Sequence, residues 1–449
     1  MAEELEYWDE LIDALTNNDI DIFRTYFLLL HPYDEAQFFI EQSAEWRHKI
    51  YTYLSPEEVA VMLEHMDSDE RVPYIVEMDP RFASTVFEQM AVDDAVDLLN
   101  MLNTDQVASY LTIMNEEAAN RIKHLLHYEE KTAGSIMTTS FVAFYKNETL
   151  KKVMDVLKQE APAAETIYYL YILDDDKTLV GVLSLRDLII ADENMRIEEV
   201  MNKNVVSVSA GKDQEEVAQM MRDYNFLAVP VVDFQDHLLG IITVDDIMDV
   251  MDEEASDDYS KFAAVSDVDR PDDGAFASAK KRLPWLIILL FLGMFTASLI
   301  GRFEATLDQV AILAIFIPLI AGMAGNTGTQ SLAVAVRGIA TGDYGKQGKM
   351  RLLLREATTG LITGSVCGAL LVIVIYLWKG ELFLGILVGI SILITLIVAT
   401  LSGSIIPIFM DKMKVDPAVA SGPFITTIND IISILIYFGI ATSFMRFLI

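Results

Sequence analysis

The sequence predicts a multidomain membrane protein in four parts: an all-α superhelical N-terminal domain, a paired α/β module, a long connecting helix and a five-helix α transmembrane domain. Three observations support this fold class. The last third of the chain contains five long apolar runs, residues 137–250 contain an internal repeat, and the first 130 residues show helix-start signals at short intervals. The predicted bounds of the four parts are 1–130, 131–250, 251–282 and 283–449.

The charge of the chain is unevenly distributed. Residues 1–283 carry 59 acidic and 23 basic side chains, whereas residues 284–449 carry 8 acidic and 10 basic ones. Nucleic-acid binding requires basic stripes, so this distribution argues against a nucleic-acid partner and favours cations or positively charged partners. The single cysteine, Cys367, excludes a disulfide framework.

Helix-start signals recur along the N-terminal 130 residues. Ser55 is followed by a proline and then by Glu58 at the third helical position, which is the pattern of an N-cap with a capping box. Further starts follow at residues 93–94, 104–105 and 116–117, at intervals of 11 to 12 residues. Short helices at this interval predict a small solenoid-like domain.

The second part contains an internal repeat. Residues 181–187 and 240–246 share the pattern Gly-x-x-Ser/Thr-x-x-Asp at an offset of 59 residues, and Met137 and Met201 begin two further matched segments. Each copy is predicted to contain a strand, a helix, two strands and a helix. The repeated pattern resembles the signature of CBS-domain pairs, which often bind adenine nucleotides with the Asp on the ribose. A turn that caps a strand would explain the Gly and Ser but not the duplication.

The connecting segment, residues 245–280, begins with a run of acidic residues. On a helix, Asp246, Asp249, Glu253 and Asp257 are spaced 3, 4 and 4 residues apart and share one face. A solvated acidic face is one explanation of this run. A site for a hard cation such as Mg²⁺ or Ca²⁺ is the other, and the position of the run directly before the membrane part favours it.

Five apolar runs predict the transmembrane helices, because a membrane-spanning helix needs about 20 mostly apolar residues. They cover residues 284–300, 309–336, 357–378, 382–410 and 417–445, and Asp430 is the one charged acidic residue among them. Ten basic residues flank one set of helix ends, at 280–282, 337–355 and 412–414, against three at the opposite ends. The positive-inside rule therefore predicts a cytoplasmic N-terminus and an extracellular C-terminus.

The second apolar run carries polar residues that a lipid-facing helix would not need. Residues 325–331 read Gly-Asn-Thr-Gly-Thr-Gln-Ser, with Asn326 among them. Close helix packing through small residues is one interpretation. A loosened, polar wall of an ion pathway is the other.

The fifth apolar run begins with Asp416 and Pro417, which predict an N-cap followed by the first helical residue. Asp430 lies 13 residues after Pro417, which is roughly 20 Å along a helix axis and near the membrane centre. A carboxylate there costs at least about 2.5–3.5 kcal/mol unless it is paired or hydrated. A protonated Asp bonded between helices and a cation site in a water-filled pore are the two interpretations.

Conventional catalysis has no sequence support, and the chain is predicted not to be an enzyme. It lacks a Walker A loop, a His-Glu-x-x-His pattern and zinc-ligand spacing.

Taken together, these features resemble the MgtE family of magnesium channels over essentially the whole chain. The resemblance implies a homodimer in a cell membrane, with a pore between the second and fifth membrane helices of both subunits. It implies that the aspartate at Asp430 holds hydrated Mg²⁺ with help from the Thr426 carbonyl, and that the connecting, or plug, helices close the pore when cytosolic Mg²⁺ bridges the acidic domains. Members of the family can also bind ATP at the CBS pair.

The candidate site residues form three groups. The pore group is Asp430, Thr426, Asn326 and Asn429. The regulatory metal group is Glu57, Asp93, Asp97, Asp213, Glu215, Asp246, Asp249, Glu254, Asp257, Asp258 and Asp416. The nucleotide group is Tyr171, Arg186, Asp187, Phe226 and Asp246, so that Asp246 has both a metal and a ribose interpretation.

The predicted function is Mg²⁺-selective, Mg²⁺-gated transport of magnesium across the plasma membrane into the cytoplasm. Two alternatives remain at this point. An ion-coupled secondary transporter of divalent cations would explain Asp430 equally well. A membrane-anchored CBS nucleotide sensor would not explain an acidic residue in the middle of the membrane.

Overall fold

The computed structural model describes residues 2–66, 68–266, 274–341 and 345–447. These residues fall into two compact units, Met1–Met251 and Asp252–Ile449. Each unit has its own buried apolar core.

Short helices build the N-terminal domain, as the recurring start signals predict. Their bounds are α1 Ala2–Asn17, α2 Ile20–Phe27, α3 Pro32–Ile40, α4 Ala44–Tyr53, α5 Pro56–Glu64, α6 Ser68–Glu77, α7 Pro80–Gln89, α8 Val92–Asn100, α9 Thr104–Ile113 and α10 Glu116–Leu125. Many of these helices pack against the helix two positions further along the chain. The pairs are α3 with α5, α5 with α7, α7 with α9, α6 with α8, and α8 with α10. This pairing gives two layers of stacked helices with a continuous core between them.

Capping chemistry explains where these helices begin. Ser55 and Glu58 form a capping box at the start of α5, with each side chain bonded to the backbone N–H of the other. Asn103 with Gln106 does the same for α9, and Asn115 caps α10. The predicted starts are therefore confirmed, although α8 begins at Val92 rather than at the acidic pair that follows it.

The CBS-like repeat is confirmed as two matching three-stranded sheets. The first copy contains β1 Ala143–Tyr145, α11 Leu150–Glu160, β2 Tyr169–Leu173, β3 Leu179–Ser184 and α12 Leu185–Ile190, followed by the short α13 Ile197–Val200. The second contains β4 Val208–Ser209, α14 Gln214–Tyr224, β5 Ala228–Val232, β6 Leu238–Thr243 and α15 Val244–Phe262. In each sheet the first strand is parallel to the second, and the second is antiparallel to the third.

The two copies pack closely against each other at their repeated Gly and Met positions. A Cβ atom on Gly181 would lie 2.4 Å from Met201 Sδ, and one on Gly240 would lie 2.6 Å from the Thr138 carbonyl oxygen and 2.9 Å from Met137 Sδ. Only glycine allows these close approaches. Each glycine therefore packs against the segment that begins the other copy, which gives the duplication a structural role.

The connecting helix differs in its bounds from the prediction of 251–282. Helix α15 begins at Val244, directly after β6, and ends at Phe262. Ala264 has a positive φ of 58°, which a right-handed helix does not allow. Residues 267–273 lie outside the described residues, and the next helix begins at Ala275.

Five described helices are long and apolar enough to cross a membrane, as predicted. The candidate spans are Ala275–Gly301, Ala311–Ala340, Gly348–Lys379, Leu382–Lys412 and Gly422–Ser443. The corresponding α-helices are α16 Ala275–Gly301, α18 Ile317–Ala340, α19 Gly345–Lys379, α20 Leu382–Lys412 and α21 Gly422–Ser443, with the short α17 Glu304–Gln309 after α16. Helix α20 packs on α18, α19 and α21, so it lies at the centre of this unit.

The start of the fifth span is a correction to the sequence prediction. Asp416 caps a short 3₁₀ turn, Pro417–Val419, and not the long helix. Helix α21 begins five residues later, at Gly422, with Pro423 in its first turn. Asp430 is consequently the ninth of the 22 residues of α21, still close to the middle of the helix.

Candidate ion pathway and acidic sites

Helices α18 and α21 meet along a polar seam. Thr329 Oγ1 lies 3.3 Å from Thr426 Oγ1. A Cβ atom on Gly325 would lie 2.6 Å from Thr426 Cγ2, and one on Gly328 would lie 1.8 Å from Asn429 Nδ2. The glycines of the 325–331 motif thus allow α18 to approach α21 closely and bring hydroxyl groups of both helices together.

Asp430 follows Thr426 by one helical turn and therefore lies on the same side of α21. Its side chain is half-buried, and no described residue forms a hydrogen bond or ion pair with its carboxylate. A carboxylate in this setting requires water or a cation, because burial without a partner is costly.

The two predicted pore amides lie in different environments. Asn429 is 1% exposed. Its Oδ1 accepts a hydrogen bond from Ser402 Oγ on α20, and its Nδ2 has no hydrogen-bond partner within the described ranges. Asn326 on α18 is exposed. The structure thus brings Thr426, Asp430 and Thr329 to one seam, while Asn429 lies in the α18–α20–α21 interface. Their roles in ion passage stay predictions.

An open cavity of about 650 Å³ lies beside this seam in the second unit. It is lined by Tyr259, Phe262, Ala263, Leu289, Thr329, Gly422, Pro423, Thr426 and Thr427. The end of α15 therefore forms one wall and the polar seam forms another.

A lysine lies among the acidic residues at the end of α15. Lys261 Nζ is 2.7 Å from Asp416 Oδ2 and 3.4 Å from Asp257 Oδ2. The other oxygen of Asp416 accepts a hydrogen bond from the Ala418 N–H at 2.8 Å. Burial and the negative charge of Asp416 raise the pKa of Asp258 to about 6, although Lys261 opposes that rise.

The first unit contains a second group of acids, where the helical domain meets the CBS pair. Asp93 is 6% exposed, and its Oδ1 has no hydrogen-bond partner among the residues that the structure describes. Burial and the negative charge of Asp246 raise its pKa well above the ordinary value. The pKa of Asp246 is itself raised to about 7, mainly by burial, against the hydrogen bonds that it accepts from Thr243.

Further carboxylates surround this pair. Burial and the negative charges of Asp245, Glu64 and Asp94 raise the pKa of Glu165 to about 7. Asp94 forms an ion pair with Arg71, whose side chain is almost completely buried. The group therefore combines several acids with Arg71, which pairs with Asp94.

The other predicted metal ligands do not form a comparable group within the described residues. Glu57 is exposed, and Asp213 caps α14 by accepting from the Glu215 and Glu216 N–H groups. Among the remaining candidates, Asp97, Glu254 and Asp257 are half-buried, and Asp249 is exposed. Within the described ranges, no three His, Cys, Asp or Glu side chains converge closely enough to hold a metal ion by themselves.

The two repeated Asp residues have the same local geometry. Asp187 Oδ2 accepts from Ser184 Oγ at 2.6 Å, and Asp246 Oδ2 accepts from Thr243 Oγ1 at 2.5 Å. Both therefore help to cap the helix that follows a strand. Asp187 is exposed, however, whereas Asp246 lies beside the buried acids of the N-terminal domain.

The other nucleotide candidates do not meet in one contact. Tyr171 is 1% exposed and its hydroxyl has no hydrogen-bond partner, Arg186 is exposed, and Phe226 stacks on Tyr224 with ring centroids 5.3 Å apart. Among the described side chains, no hydrogen bond or ring contact joins Tyr171 to Arg186 or Phe226.

Sequence reasoning missed Lys261, Arg71 and Glu165. Lys261 has a local signal, because it lies four residues after Asp257 and so continues the acidic stripe of α15. Arg71 and Glu165 have none, because their partners lie 23 or more residues away in the chain.

Comparisons with known proteins agree with this architecture. The chain matches the MgtE divalent cation transporter family over residues 317–440, the MgtE intracellular N domain over 30–131, and the CBS domain over 133–194 and 197–253. It is 51% identical to the magnesium transporter MgtE of Enterococcus faecalis, over 98% of this chain and 97% of that one. It is 41% identical to the magnesium transporter MgtE of Bacillus subtilis, over 99% and 100% of the two chains.

Two solved structures resemble slightly more than half of this chain. The soluble part of a magnesium transporter has 49% identity and a TM-score of 0.55, over 56% of this chain and 99% of that one. The cytosolic domain of the Mg²⁺ channel MgtE, solved with ATP, has 36% identity and a TM-score of 0.52, over 54% and 99%. With helical, CBS and membrane parts all matched in order, the chain belongs to the MgtE family of magnesium transporters, and it is a membrane transporter rather than an enzyme.

Proposed function

We propose that this protein is a Mg²⁺-selective channel that carries magnesium into the cytoplasm and closes when cytosolic Mg²⁺ is high. The observation that carries the proposal is the Asp430 carboxylate, which lies near the middle of a membrane-spanning helix, beside a seam of hydroxyl groups, with no partner among the described residues. A hydrated divalent cation would compensate this charge.

The pore is proposed to form between two copies of the chain. Each copy supplies one Asp430, and a two-fold axis would place two carboxylates on one divalent ion. Mg²⁺ gives up its water reluctantly and usually keeps several waters. A polar pathway with two carboxylates and the Thr426 backbone carbonyl, and with few direct ligands, suits such an ion.

Regulation is proposed to act through the buried acids of the first unit. Burial and the negative charge of Asp246 raise the pKa of Asp93. Burial and the negative charges of Asp245 and Asp94 raise the pKa of Asp246, so charging both acids is unfavourable in the compact arrangement. A divalent cation would reverse that repulsion and favour the arrangement in which the helical domain lies against the CBS pair. Waters would complete the coordination, as is usual for Mg²⁺. This assigns Asp246 to metal rather than to ribose.

The end of α15 is proposed to transmit closure. Lys261 and Asp416 join it to the turn that leads into α21, and burial together with the negative charge of Asp416 raises the pKa of Asp258. We propose that Mg²⁺ adds to this contact through Asp257, Asp258 and Asp416.

Orientation and nucleotide binding complete the proposal. We propose that residues 1–283 lie in the cytoplasm and the C-terminus outside, because the basic residues are concentrated at one set of helix ends. ATP is proposed to bind the CBS pair with its ribose at the exposed Asp187, since a solved relative with the same domains was crystallised with ATP.

The rival functions differ in what Asp430 does. A CBS nucleotide sensor with a membrane anchor would not need that carboxylate. An ion-coupled carrier would need it but would not give unitary currents.

Substitution of Asp430 tests the pathway. Asp430→Ala should abolish growth rescue of a cell that lacks magnesium uptake, and Asp430→Asn should keep the shape but lose most of the divalent preference. The matched control is Asp308→Asn, which removes the same charge from an exposed position on α17. Membrane levels of all variants are compared by immunoblot. Wild-type rescue by Asp430→Ala at normal expression would exclude Asp430 as the ion site.

A further inference from the structure

Besides the half-buried Asp430, the membrane unit contains a buried acidic residue, Glu356, which the proposed ion pathway does not use. Glu356 lies on α19, within the span Gly348–Lys379 and next to the apolar run that begins at Ala357. It is 6% exposed. A buried carboxylate is costly, so its contacts should account for its presence.

Glu356 belongs to a compact polar cluster that joins three helices. Ser331 Oγ on α18 lies 2.8 Å from Glu356 Oε2 on α19. The same Ser331 oxygen lies 2.7 Å from Ser404 Oγ and 2.7 Å from the Thr400 carbonyl oxygen, both on α20. All four residues are buried. Ser331 is therefore held to α19 and α20 at a single point.

The charge of Glu356 has a counter-ion at the protein surface. Arg355 Nη2 lies 3.2 Å from Glu356 Oε1, and the Arg355 side chain is 56% exposed. One carboxylate oxygen thus faces an arginine while the other faces the helix interface. This arrangement compensates the buried charge and leaves Oε2 directed at Ser331.

Ser331 lies on the opposite side of α18 from the polar seam. It is two residues beyond Thr329, which is about 200° around the helix. Thr329 and the two motif glycines contact α21, whereas Ser331 contacts α19 and α20. The rotation of α18 about its own axis is therefore fixed from both sides.

Helices α18 and α20 pack so closely that a change in the rotation of α18 would alter the polar seam. A Cβ atom on Gly403 of α20 would lie 2.3 Å from the Gly328 carbonyl oxygen and 3.0 Å from Ser331 Cβ. A small turn of α18 would therefore move its backbone against α20 and displace Thr329 from Thr426.

We propose that Glu356 is a positioning residue for ion passage: it holds α18 through Ser331 so that the polar seam stays directed at the pathway beside Asp430. The inference rests on the proposed function. Glu356 itself touches no ion. It acts by fixing the geometry of α18, so its loss should alter which ions pass as well as how fast they pass.

The test uses the full-length protein in vesicles, with Mg²⁺ and Mn²⁺ uptake measured per molecule of protein. Glu356→Ala and Ser331→Ala should each lower Mg²⁺ uptake by about tenfold, the size expected from loss of one hydrogen bond to a charged group, and should change the Mg²⁺ to Mn²⁺ ratio. Glu356→Gln should retain near wild-type uptake, because its amide keeps an oxygen for Ser331. The double variant Ser331→Ala/Glu356→Ala should be no worse than either single variant.

The matched control is Ser391→Ala. Ser391 is also fully buried in the membrane unit, but among the described residues its hydroxyl bonds only the Leu387 carbonyl of its own helix. Its removal should leave uptake and the ion ratio unchanged.

The outcomes separate the two claims. Wild-type protein that moves no Mg²⁺ would contradict the proposed function and, with it, this inference. An active wild type combined with an unchanged uptake and ion ratio in Glu356→Ala would overturn the inference alone. So would additive effects of the two substitutions, or a loss confined to the amount of folded protein.

Discussion

Single residues in this protein show why a motif and its function must be argued separately. Asp187 and Asp246 occupy the same place in the repeat, and each accepts a hydrogen bond from the Ser or Thr three residues before it. Their surroundings nevertheless differ, because Asp187 is exposed and Asp246 lies beside Asp93. The duplicated pattern is thus explained by helix capping in both copies, and any ligand must be assigned from the environment.

Asp187 carries the residue-scale prediction. Asp187→Asn keeps an oxygen for the Ser184 cap but removes the carboxylate that would accept both ribose hydroxyls, so ATP binding should weaken by about tenfold or more. Isothermal calorimetry on the full-length protein in detergent measures this. Asp155→Asn, on an exposed position of α11, is the control and should bind as wild type does. Equal binding by Asp187→Asn and wild type would exclude Asp187, and no heat at millimolar ATP would exclude the site.

At the scale of elements, local chemistry predicts most helix starts. The Ser55–Glu58 capping box and the start of α10 at Glu116 follow from side chains within three residues of the helix end. The start of α21 does not follow as simply, because the chain offers two start signals in succession. Asp416 with Pro417 caps only a 3₁₀ turn, and the backbone of Ala420 leaves helical geometry at ψ 56° before Pro423 begins the long helix.

The end of the connecting helix also cannot be predicted from local sequence signals alone. Its acidic stripe was predictable from spacing, but its end at Phe262 depends on the positive φ of Ala264. The ion pair between Lys261 and Asp416 joins residues 155 positions apart, which no local pattern indicates. Tertiary structure therefore determines that Lys261 meets Asp416.

Lys261 carries the element-scale prediction. Lys261→Gln should leave Mg²⁺ uptake intact but allow it to continue at Mg²⁺ concentrations that close the wild type, because α15 loses its tie to the turn before α21. Asp416→Asn should do the same, since Asn keeps the cap on Ala418 but loses the ion pair. Uptake into vesicles is measured against internal Mg²⁺ concentration.

Comparing the Lys261 and Asp416 variants with their double variant shows whether the two residues act through one contact. If the contact holds the closed state, the double variant should resemble the single ones. Lys412→Gln removes the same charge from an exposed position nearby and should close normally. Closure of Lys261→Gln at lower Mg²⁺ than wild type would mean that Lys261 competes with Mg²⁺, and would contradict the proposed tie.

At the scale of the whole molecule, charge and membrane segments were predictable and the meeting of distant acids was not. Five spans and a strongly acidic remainder follow from composition and hydropathy alone. The approach of Asp93 to Asp246 depends on how the helical stack packs on the CBS pair, through a core shared by both. A sequence can supply the acids, but only the fold determines which of them repel each other.

The energy available from such sites is sufficient for gating. Under the proposed regulation, each ion bound at 100 times its Kd would add about 2.7 kcal/mol to the closed state. Two or three ions acting together would exceed the roughly 5.5 kcal/mol needed to move an equilibrium from 1:99 to 99:1. The proposed regulation therefore predicts a steep response to millimolar Mg²⁺ even from sites that are individually weak.

Single-channel recording of the purified protein in a planar bilayer tests the central claim most directly. The account predicts unitary currents carried by Mg²⁺ that disappear when millimolar Mg²⁺ is added on the side of the acidic domains and return when it is removed. Magnesium uptake without unitary currents would contradict the channel. Unitary currents that persist in millimolar Mg²⁺ on that side would contradict its closure by the ion that it carries.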